Sequence, residues 1–205
     1  MRIKKAALFA GVASVWLGMS DSRSQGLIVD QASGPSDEGL SQFTLIPDFG
    51  SEVQSFTPSF STVGYIQLQA VISASSSPQT LVINLRENSY NGPVMASTTP
   101  IFVANKITRI VTCYFSENVQ IVAGQLYFME PVVVSSGSVE IGYKAPSSYA
   151  GGDSYANGVP NNGIDLWFQE GVVVPEPSTL ALVALGTVTV VLLRHNRRCM
   201  ASPEK

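Results

Sequence analysis

The side chains with the clearest capacity for molecular recognition lie in a loop near the end of the chain, residues 145–163, and in the strand-like segment after it. Five of them are candidates for contact with a ligand: Tyr149, Asp153, Tyr155, Asn157 and Trp167. Aromatic rings offer flat apolar faces on which a sugar ring can stack, and carboxylate and amide groups bond hydroxyls. The loop is therefore the candidate for a carbohydrate-binding site. The residue types favour a structural role over ligand binding, in which the tyrosines fill the open end of a β-sandwich and Trp167 belongs to its core.

Acidic residues near both ends of the region 25–174 suggest a second kind of site. Four of them would converge if the first and last strands of the domain pair: Asp30, Asp37, Glu38 and Asp165. Hard cations prefer several oxygen ligands. No dedicated calcium-loop spacing is present, so we predict no cofactor and no metal site, with a structural Ca²⁺ as the alternative.

Catalytic chemistry finds little support. The only histidine is His195, close to the C-terminus, which excludes histidine-based triads and histidine metal sites from the rest of the chain. No Gly-x-Ser-x-Gly motif occurs. Two carboxylates can cleave glycosides, but nothing selects a pair among the available glutamates: Glu52, Glu87, Glu117, Glu130, Glu140 and Glu170. We expect no catalytic residues and no enzyme activity.

Cysteine and charge narrow the possibilities further. Cys113 is the only cysteine in the region 25–174, since Cys199 falls close to the C-terminus, and we expect it to be a small buried apolar residue rather than half of a disulfide. Basic residues concentrate at the two ends of the chain. Between Gly26 and Val174 they number four: Arg86, Lys106, Arg109 and Lys144. Nucleic acid is therefore not an expected partner.

The region between the two ends has the composition of strands and turns. Short runs rich in Val, Ile, Thr, Tyr and Phe alternate with Gly, Pro, Asn and Ser. Nine segments are predicted strands: 53–57, 65–73, 80–87, 94–97, 101–103, 107–115, 126–134, 138–143 and 165–169. Pro131 indicates a bulge or an edge position. The fold class predicted is all-β, an antiparallel jelly-roll-like sandwich spanning residues 25–171.

The C-terminal segment reads as a membrane span. Leu180–Leu193 carries no charge, and a helix over 178–193 would extend roughly 24 Å against a hydrocarbon core of about 30 Å. Arginines follow it directly, and basic residues stay on the cytoplasmic side. Residues 172–205 are thus predicted to form a linker, a single transmembrane helix and a basic tail. A buried helix of a soluble protein is the alternative, but the segment has no polar face.

The N-terminus has the layout of a secretory signal peptide. Met1–Lys5 is basic and Ala6–Met19 is almost wholly apolar. We predict a signal peptide over residues 1–24, read by the Sec export machinery and cut before Gln25. Cleavage before Asp21 and an uncleaved anchor are the alternatives.

The end of the chain resembles a known class, the PEP-CTERM sorting signal, in which a Pro-Glu-Pro is followed by a short transmembrane helix and an arginine cluster. The matching residues stand in that order: Pro175, Glu176, Pro177, then the apolar segment, then Arg194, Arg197 and Arg198. The resemblance implies recognition by an exosortase, passage through the inner membrane, cleavage near the Pro-Glu-Pro and transfer to the cell surface or extracellular matrix. The tail from Cys199 to Lys205 is longer than such signals usually carry.

A second resemblance, over shorter motifs, connects the central region to the generic sandwich modules that precede such signals. It rests on Gln54-Ser-Phe56, the strand 82–86, Gly124-Gln-Leu-Tyr-Phe128 and the Gly- and Tyr-rich loop 149–158. The chain is accordingly expected to be an exported surface or matrix protein with a structural or adhesive role. The alternative function is a carbohydrate-binding module that recognises exopolysaccharide.

Overall fold

The computed structural model describes residues 25–34, 42–47, 51–72, 77–104 and 109–175. These residues form strands and connecting loops, and Leu27–Val174 is one compact unit. The strands are β1 (Gln25–Ala32), β2 (Phe43–Ile46), β3 (Glu52–Phe56), β4 (Thr62–Val71), β5 (Gln79–Glu87), β6 (Val94–Ser97), β7 (Ile101–Val103), β8 (Arg109–Gln120), β9 (Tyr127–Val133), β10 (Val139–Lys144), β11 (Ser154–Ala156), β12 (Val159–Pro160), β13 (Asp165–Leu166) and β14 (Phe168–Pro175).

Two antiparallel sheets contain these strands. The first runs in the order β1-β14-β4-β10-β13, with β8 on the other edge of β4 and β2 on β10. The long β4–β8 ladder extends from Thr62 opposite Gln120 to Ala70 opposite Arg109, with a register shift between Val63 and Tyr65. The second sheet runs β12-β11-β3-β9-β5-β6, and β7 also pairs with β5.

The core lies between the sheets and follows from side-chain alternation along the strands. In β4, Ile66, Leu68 and Ala70 are fully buried in the core cluster; in β5, Leu81, Ile83 and Leu85 are buried in the same cluster. Phe56 and Phe168 bring the two sheets together, with ring centroids 6.3 Å apart. Full burial of an apolar side chain of this size stabilises the fold by about 1.5–3 kcal/mol.

The nine strand segments predicted from alternation are confirmed to within a few residues, since each overlaps a strand of the structure. Four strands escaped prediction: β1, β2, β11 and β12. They are short or carry polar and glycine residues; β1, β2 and β11 pair with strands distant in the chain, whereas β12 pairs with the neighbouring β11. Cys113 is buried, as expected for an apolar strand residue, and burial raises the pKa of its thiol to about 12.

Two strand boundaries differ from the predicted ones. β8 continues past Phe115 to Gln120, and β14 continues past Gly171 to Pro175, so residues 172–174 belong to the sheet rather than to a linker. Hydrogen bonds between Asn118 and the backbone of Val173 join these two extensions, at 3.1 and 3.3 Å. The polar residues at the end of β8 and the valines at the end of β14 thus stabilise each other's strand conformation. Neither segment predicts this pairing from its own sequence.

Pro131 sits where the lack of a backbone N–H costs little. β9 pairs with β5 throughout, and Pro131 lies opposite Ile83. On the other side, pairing with β3 ends at Met129. Pro131 therefore occupies a local edge of an otherwise internal strand, one of the two positions predicted for it.

Two predicted segments, the signal peptide over 1–24 and the transmembrane helix over 178–193, lie outside the described residues. Among the residues that are described, none forms a helix long and apolar enough to cross a membrane.

Candidate functional site

The loop over residues 145–163, which the sequence marks as a candidate for ligand contact, is called the recognition loop. It is anchored by Asp165, which is fully buried. One carboxylate oxygen accepts hydrogen bonds from Ser147 Oγ at 2.6 Å, from Ser148 N at 3.1 Å and from Tyr149 N at 3.0 Å. The other oxygen accepts a longer one from Gln54 Nε2 at 3.4 Å. Three bonds on one charged oxygen organise the start of the loop. The Asp165 carboxylate is therefore occupied within the protein.

The middle of the loop is fixed to β3. Ser55 and Asp153 exchange backbone and side-chain hydrogen bonds: Ser55 N donates to the Asp153 carbonyl at 2.9 Å, and Asp153 N donates to Ser55 Oγ at 2.8 Å. Ser154 Oγ donates to the Ile164 carbonyl at 2.7 Å, which closes the loop on itself. The Gln54 side chain accepts from Leu166 N at 2.8 Å. The loop is a hydrogen-bonded structure with little freedom to open.

Tyr149 points toward the sandwich. Its ring meets Phe168 edge to face, with centroids 5.1 Å apart and planes at 86°. Its hydroxyl oxygen accepts from Thr57 N at 3.3 Å. The pKa of the Tyr149 phenol is raised to about 12, mainly by burial; the Thr57 bond acts against this rise, and the carboxylates of Glu170, Asp30 and Asp165 contribute to it. Tyr149 is thus engaged with the core and remains neutral at physiological pH.

The other four candidate ligand contacts differ in how far they are exposed to solvent. Tyr155 is half-buried; it stacks on Tyr90 with centroids 5.7 Å apart and planes at 17°, and it meets Phe128 edge-on at 5.8 Å. Asp153 and Asn157 are exposed, and Asn157 has a positive φ of 52° in a tight turn. Trp167 is fully buried and offers no face to a ligand at the surface.

Of the four acids considered for calcium, the structure describes Asp30 and Asp165, and each accepts hydrogen bonds from other parts of the protein. β1 and β14 do pair, which is the condition under which they would converge. Asp30, however, accepts from Ser59 N at 2.7 Å and Phe60 N at 2.8 Å and from the Ser59 hydroxyl, whereas Asp165 holds the recognition loop. Asp37 and Glu38 lie outside the described residues. Within the described ranges no three His, Cys, Asp or Glu side chains come together as metal ligands.

A buried carboxyl outside the predicted ligand site lies beside Asp30. Glu170 in β14 is fully buried, and neither of its oxygens has a well-formed hydrogen bond among the described residues. Burial, the negative charge of Asp30 and the contact between the two carboxyl groups together raise the pKa of this carboxyl to about 8, and burial is the largest cause. Glu170 is therefore largely protonated at neutral pH, because its anion would be both desolvated and repelled.

A second buried carboxyl, Glu52 at the start of β3, is 6% exposed. Thr44 Oγ1 donates to Glu52 Oε1 at 3.2 Å. Burial raises the pKa of Glu52, and the Thr44 bond partly opposes the rise. This carboxyl lines a cavity of about 210 Å³ together with residues of four other segments: Phe43, Thr44, Tyr143, Asn161 and Leu166.

A larger groove, of about 350 Å³, lies between β6 and β8 and is lined by Met95–Ser97 and Phe115–Gln120. Its charged side chain, Glu117, is exposed to solvent. Of the two hollows, the smaller one has the buried charge, so it is the better candidate for specific binding.

Strand parity is the signal that would have found the buried acids. Glu170 is two residues after Phe168, and residues two apart in a strand face the same side. The segment Trp167-Phe-Gln-Glu-Gly171 therefore places Glu170 on the side of a core phenylalanine. No comparable signal marks Tyr90, which stacks on Tyr155 from a turn 65 positions earlier in the chain.

The fold is a two-sheet antiparallel β-sandwich. Hydrogen bonds to Asp165 and Asp30 and the ring contacts of the loop tyrosines join segments that are distant in the chain. The last strand, β14, leads into a segment that matches a known family model. Residues 173–198 match the PEP-CTERM protein-sorting motif, which confirms the resemblance seen at Pro175, Glu176 and Pro177. The chain therefore carries the signal of an exported protein that is processed by exosortase during membrane-anchored transit. No curated protein and no solved structure matches it.

Proposed function

We propose that this chain is a non-enzymatic surface or matrix protein with a structural or adhesive β-sandwich, delivered by Sec export and exosortase processing. The observation that carries the proposal is the sorting motif over residues 173–198. The helix over 178–193 would hold the chain in the inner membrane during transit, and the mature product would reside at the cell surface or in the extracellular matrix.

The position of the last strand supports this order of events. β14 ends at Pro175, and the compact unit ends at Val174. A cut at or after Pro175 would leave every pairing of β14 with β4 intact, because that ladder uses Phe168–Gly171. The sandwich would therefore keep its core after release from the membrane segment.

The jelly-roll assignment is part of the same proposal. Four strands follow one another across the first sheet as β1-β14-β4-β8, and four across the second as β3-β9-β5-β6. In each order the first three strands alternate between early, late and early positions in the chain, and in the second sheet β6 follows β5 directly, an arrangement that supports two interlocked Greek keys. Such a sandwich serves many functions, so the arrangement supports the fold and leaves the activity to its surface.

The test is the mature C-terminus, measured by mass spectrometry of the protein isolated from its native host. We expect an end near Pro175–Pro177. Replacing Pro175, Glu176 and Pro177 by alanine should leave the full tail attached, whereas the same residue types changed in the tail, Pro203→Ala with Glu204→Ala, should not affect processing. An intact Lys205 in the wild-type protein would refute the matrix assignment.

A second candidate function is recognition of exopolysaccharide. The half-exposed Tyr90–Tyr155 stack, beside the exposed Asp153 and Asn157, supports it. Binding to purified exopolysaccharide should then weaken in Tyr155→Ala, and Tyr149→Ala serves as the comparison from the buried side of the loop. Unchanged binding in Tyr155→Ala would exclude this surface.

A further inference from the structure

The cavity at Glu52 lies where the ends of the two sheets approach each other. Thr44 in β2 and Tyr143 in β10 come from the first sheet, and Glu52 opens β3 of the second. Asn161 and Leu166 contribute from the end of the recognition loop and from β13. Five separate segments therefore build one hollow of about 210 Å³.

Only one of the two Glu52 carboxylate oxygens has a hydrogen-bond partner among the described residues. One oxygen accepts the Thr44 hydrogen bond at 3.2 Å. The other oxygen has no hydrogen-bond partner among the described residues and is not one of the buried polar atoms without a partner, and Glu52 lines the cavity. A desolvated carboxylate with a single neutral partner gains most from a positive charge placed beside it.

The protein does not supply that charge from its described residues. Only burial and the Thr44 bond act on the pKa of Glu52, and no basic side chain lowers it. Arg86, a cation that the structure does place, is committed to Glu130 at 2.7 Å. Among the described residues, therefore, no cation is placed to compensate the Glu52 carboxylate.

The rest of the lining suits an organic cation. Phe43 and Tyr143 bring two aromatic rings to the cavity, and Ile164 and Leu166 add aliphatic surface. Aromatic faces attract cations, and they do so more strongly when the pair is shielded from water. The Asn161 side chain, which lines the same space, adds an amide that can accept or donate.

The net charge of the domain also favours a cationic ligand. Residues 25–174 hold twelve acidic side chains against four basic ones, a formal net charge of −8. A field of this sign draws cationic ligands and repels anionic ones. We propose that the Glu52 cavity binds the protonated amine of a ligand, either an amino sugar or a lysine side chain.

The experiment is calorimetric titration of the full-length protein with glucosamine, glucose and N-acetylglucosamine, and with Nα-acetyl-lysine amide as the second amine source. Glucosamine carries an ammonium group, whereas the other two sugars keep the ring without the charge. We expect one or both amines to bind with a Kd on the order of 1 mM, and the neutral sugars at least about tenfold more weakly. Glucosamine alone would identify a saccharide ligand, and lysine amide alone a protein ligand.

Glu52→Gln is the decisive variant, because it removes the charge and keeps the size of the side chain and a partner for Thr44. It should lower amine affinity at least about tenfold. Glu140→Gln, which changes the net charge equally from a half-buried site in β10 outside the cavity, should bind like wild type. A thermal melt of Glu52→Gln checks that it folds.

Three results would overturn the inference: no binding of either amine, equal binding of glucosamine and glucose, or equal affinity of Glu52→Gln and wild type. The site is independent of the sorting signal. Its failure would leave the C-terminal processing unchanged, and a failure of processing would leave the amine titration unchanged.

Discussion

The buried carboxyl of Glu170 predicts an unusual dependence of stability on pH. In the unfolded chain its pKa is near the ordinary value of 4.5, and in the folded protein burial and the neighbouring Asp30 raise the pKa to about 8. The folded state then binds a proton more tightly than the unfolded state. The stability contributed by the neutral acid is fully present below about pH 4.5 and is lost as the pH rises through about 8.

The size of the effect follows from the shift. One pKa unit corresponds to 1.36 kcal/mol, so a rise of this extent amounts to roughly 4–5 kcal/mol between the two pH limits. Small proteins have about 5–15 kcal/mol of total stability. The loss should therefore be a large share of the whole free energy of unfolding.

The assay is urea unfolding of wild type and Glu170→Gln, followed by circular dichroism at several values between about pH 5 and pH 9. Glutamine mimics the protonated acid, and its amide can donate to Asp30. Near pH 5 the two proteins should have similar free energies of unfolding, and near pH 9 Glu170→Gln should be more stable by several kcal/mol. Glu52, whose pKa is also raised, is common to both proteins and cancels in the difference.

Glu117→Gln supplies the control, because Glu117 is exposed in β8. Its unfolding free energy should follow the wild-type pH profile. If wild type and Glu170→Gln lose stability in parallel across the range, Glu170 is hydrated or paired with a positive charge in solution, and the reasoning from its burial is wrong.

Three further predictions concern the loop and the core. Asp165→Asn should lower the free energy of unfolding by about 2–4 kcal/mol in urea titrations, since the amide cannot accept all three bonds at one charged oxygen. The exposed Asp153→Asn should change the free energy of unfolding by no more than about 0.5 kcal/mol. Equal effects of the two substitutions would contradict the anchoring role of Asp165. A double-mutant cycle of Tyr90→Ala and Tyr155→Ala should give a coupling of about 0.5–1.5 kcal/mol, and strict additivity would mean that the rings do not stack in solution. Phe168→Ala should cost about 3–5 kcal/mol in thermal or urea unfolding, and a cost under about 1 kcal/mol would place its ring outside the core.

The sandwich was largely predictable where alternation was strong. β4 and β5 carry apolar residues at every second position, and these are the residues that fill the core. β1 and β2 were not predictable, because β1 contains Gly26, Gln31 and Asp30 and β2 is only four residues long. Their strand conformation depends on ladders with β14 and β10, which local propensity does not encode.

The candidate site shows the same division. Its residue types marked 145–163 as a loop of interest, but composition could not tell a side chain that is engaged with the core from one that is available to a ligand. Trp167 was weighed as a ligand platform or a core residue, and its complete burial places it among the latter. The roles of the acids followed from neighbours far away in the chain: Gln54 meets Asp165 across 111 positions, and Asp30 meets Ser59 across 29.

The sequence by itself determined where the protein is sent. A Pro-Glu-Pro, an apolar segment and an arginine cluster act through their order along the chain, so the sorting signal can be read without knowledge of any fold. The tertiary structure alone decided which polar groups are hidden and which are offered to solvent. Glu52, Glu170 and Glu117 are the same amino acid, yet one lines a cavity, one is buried beside a second carboxylate and one is exposed. The protonation and binding capacity of a carboxyl depend on its desolvation and on nearby charges, and both are set by residues that meet only when the two sheets pack together.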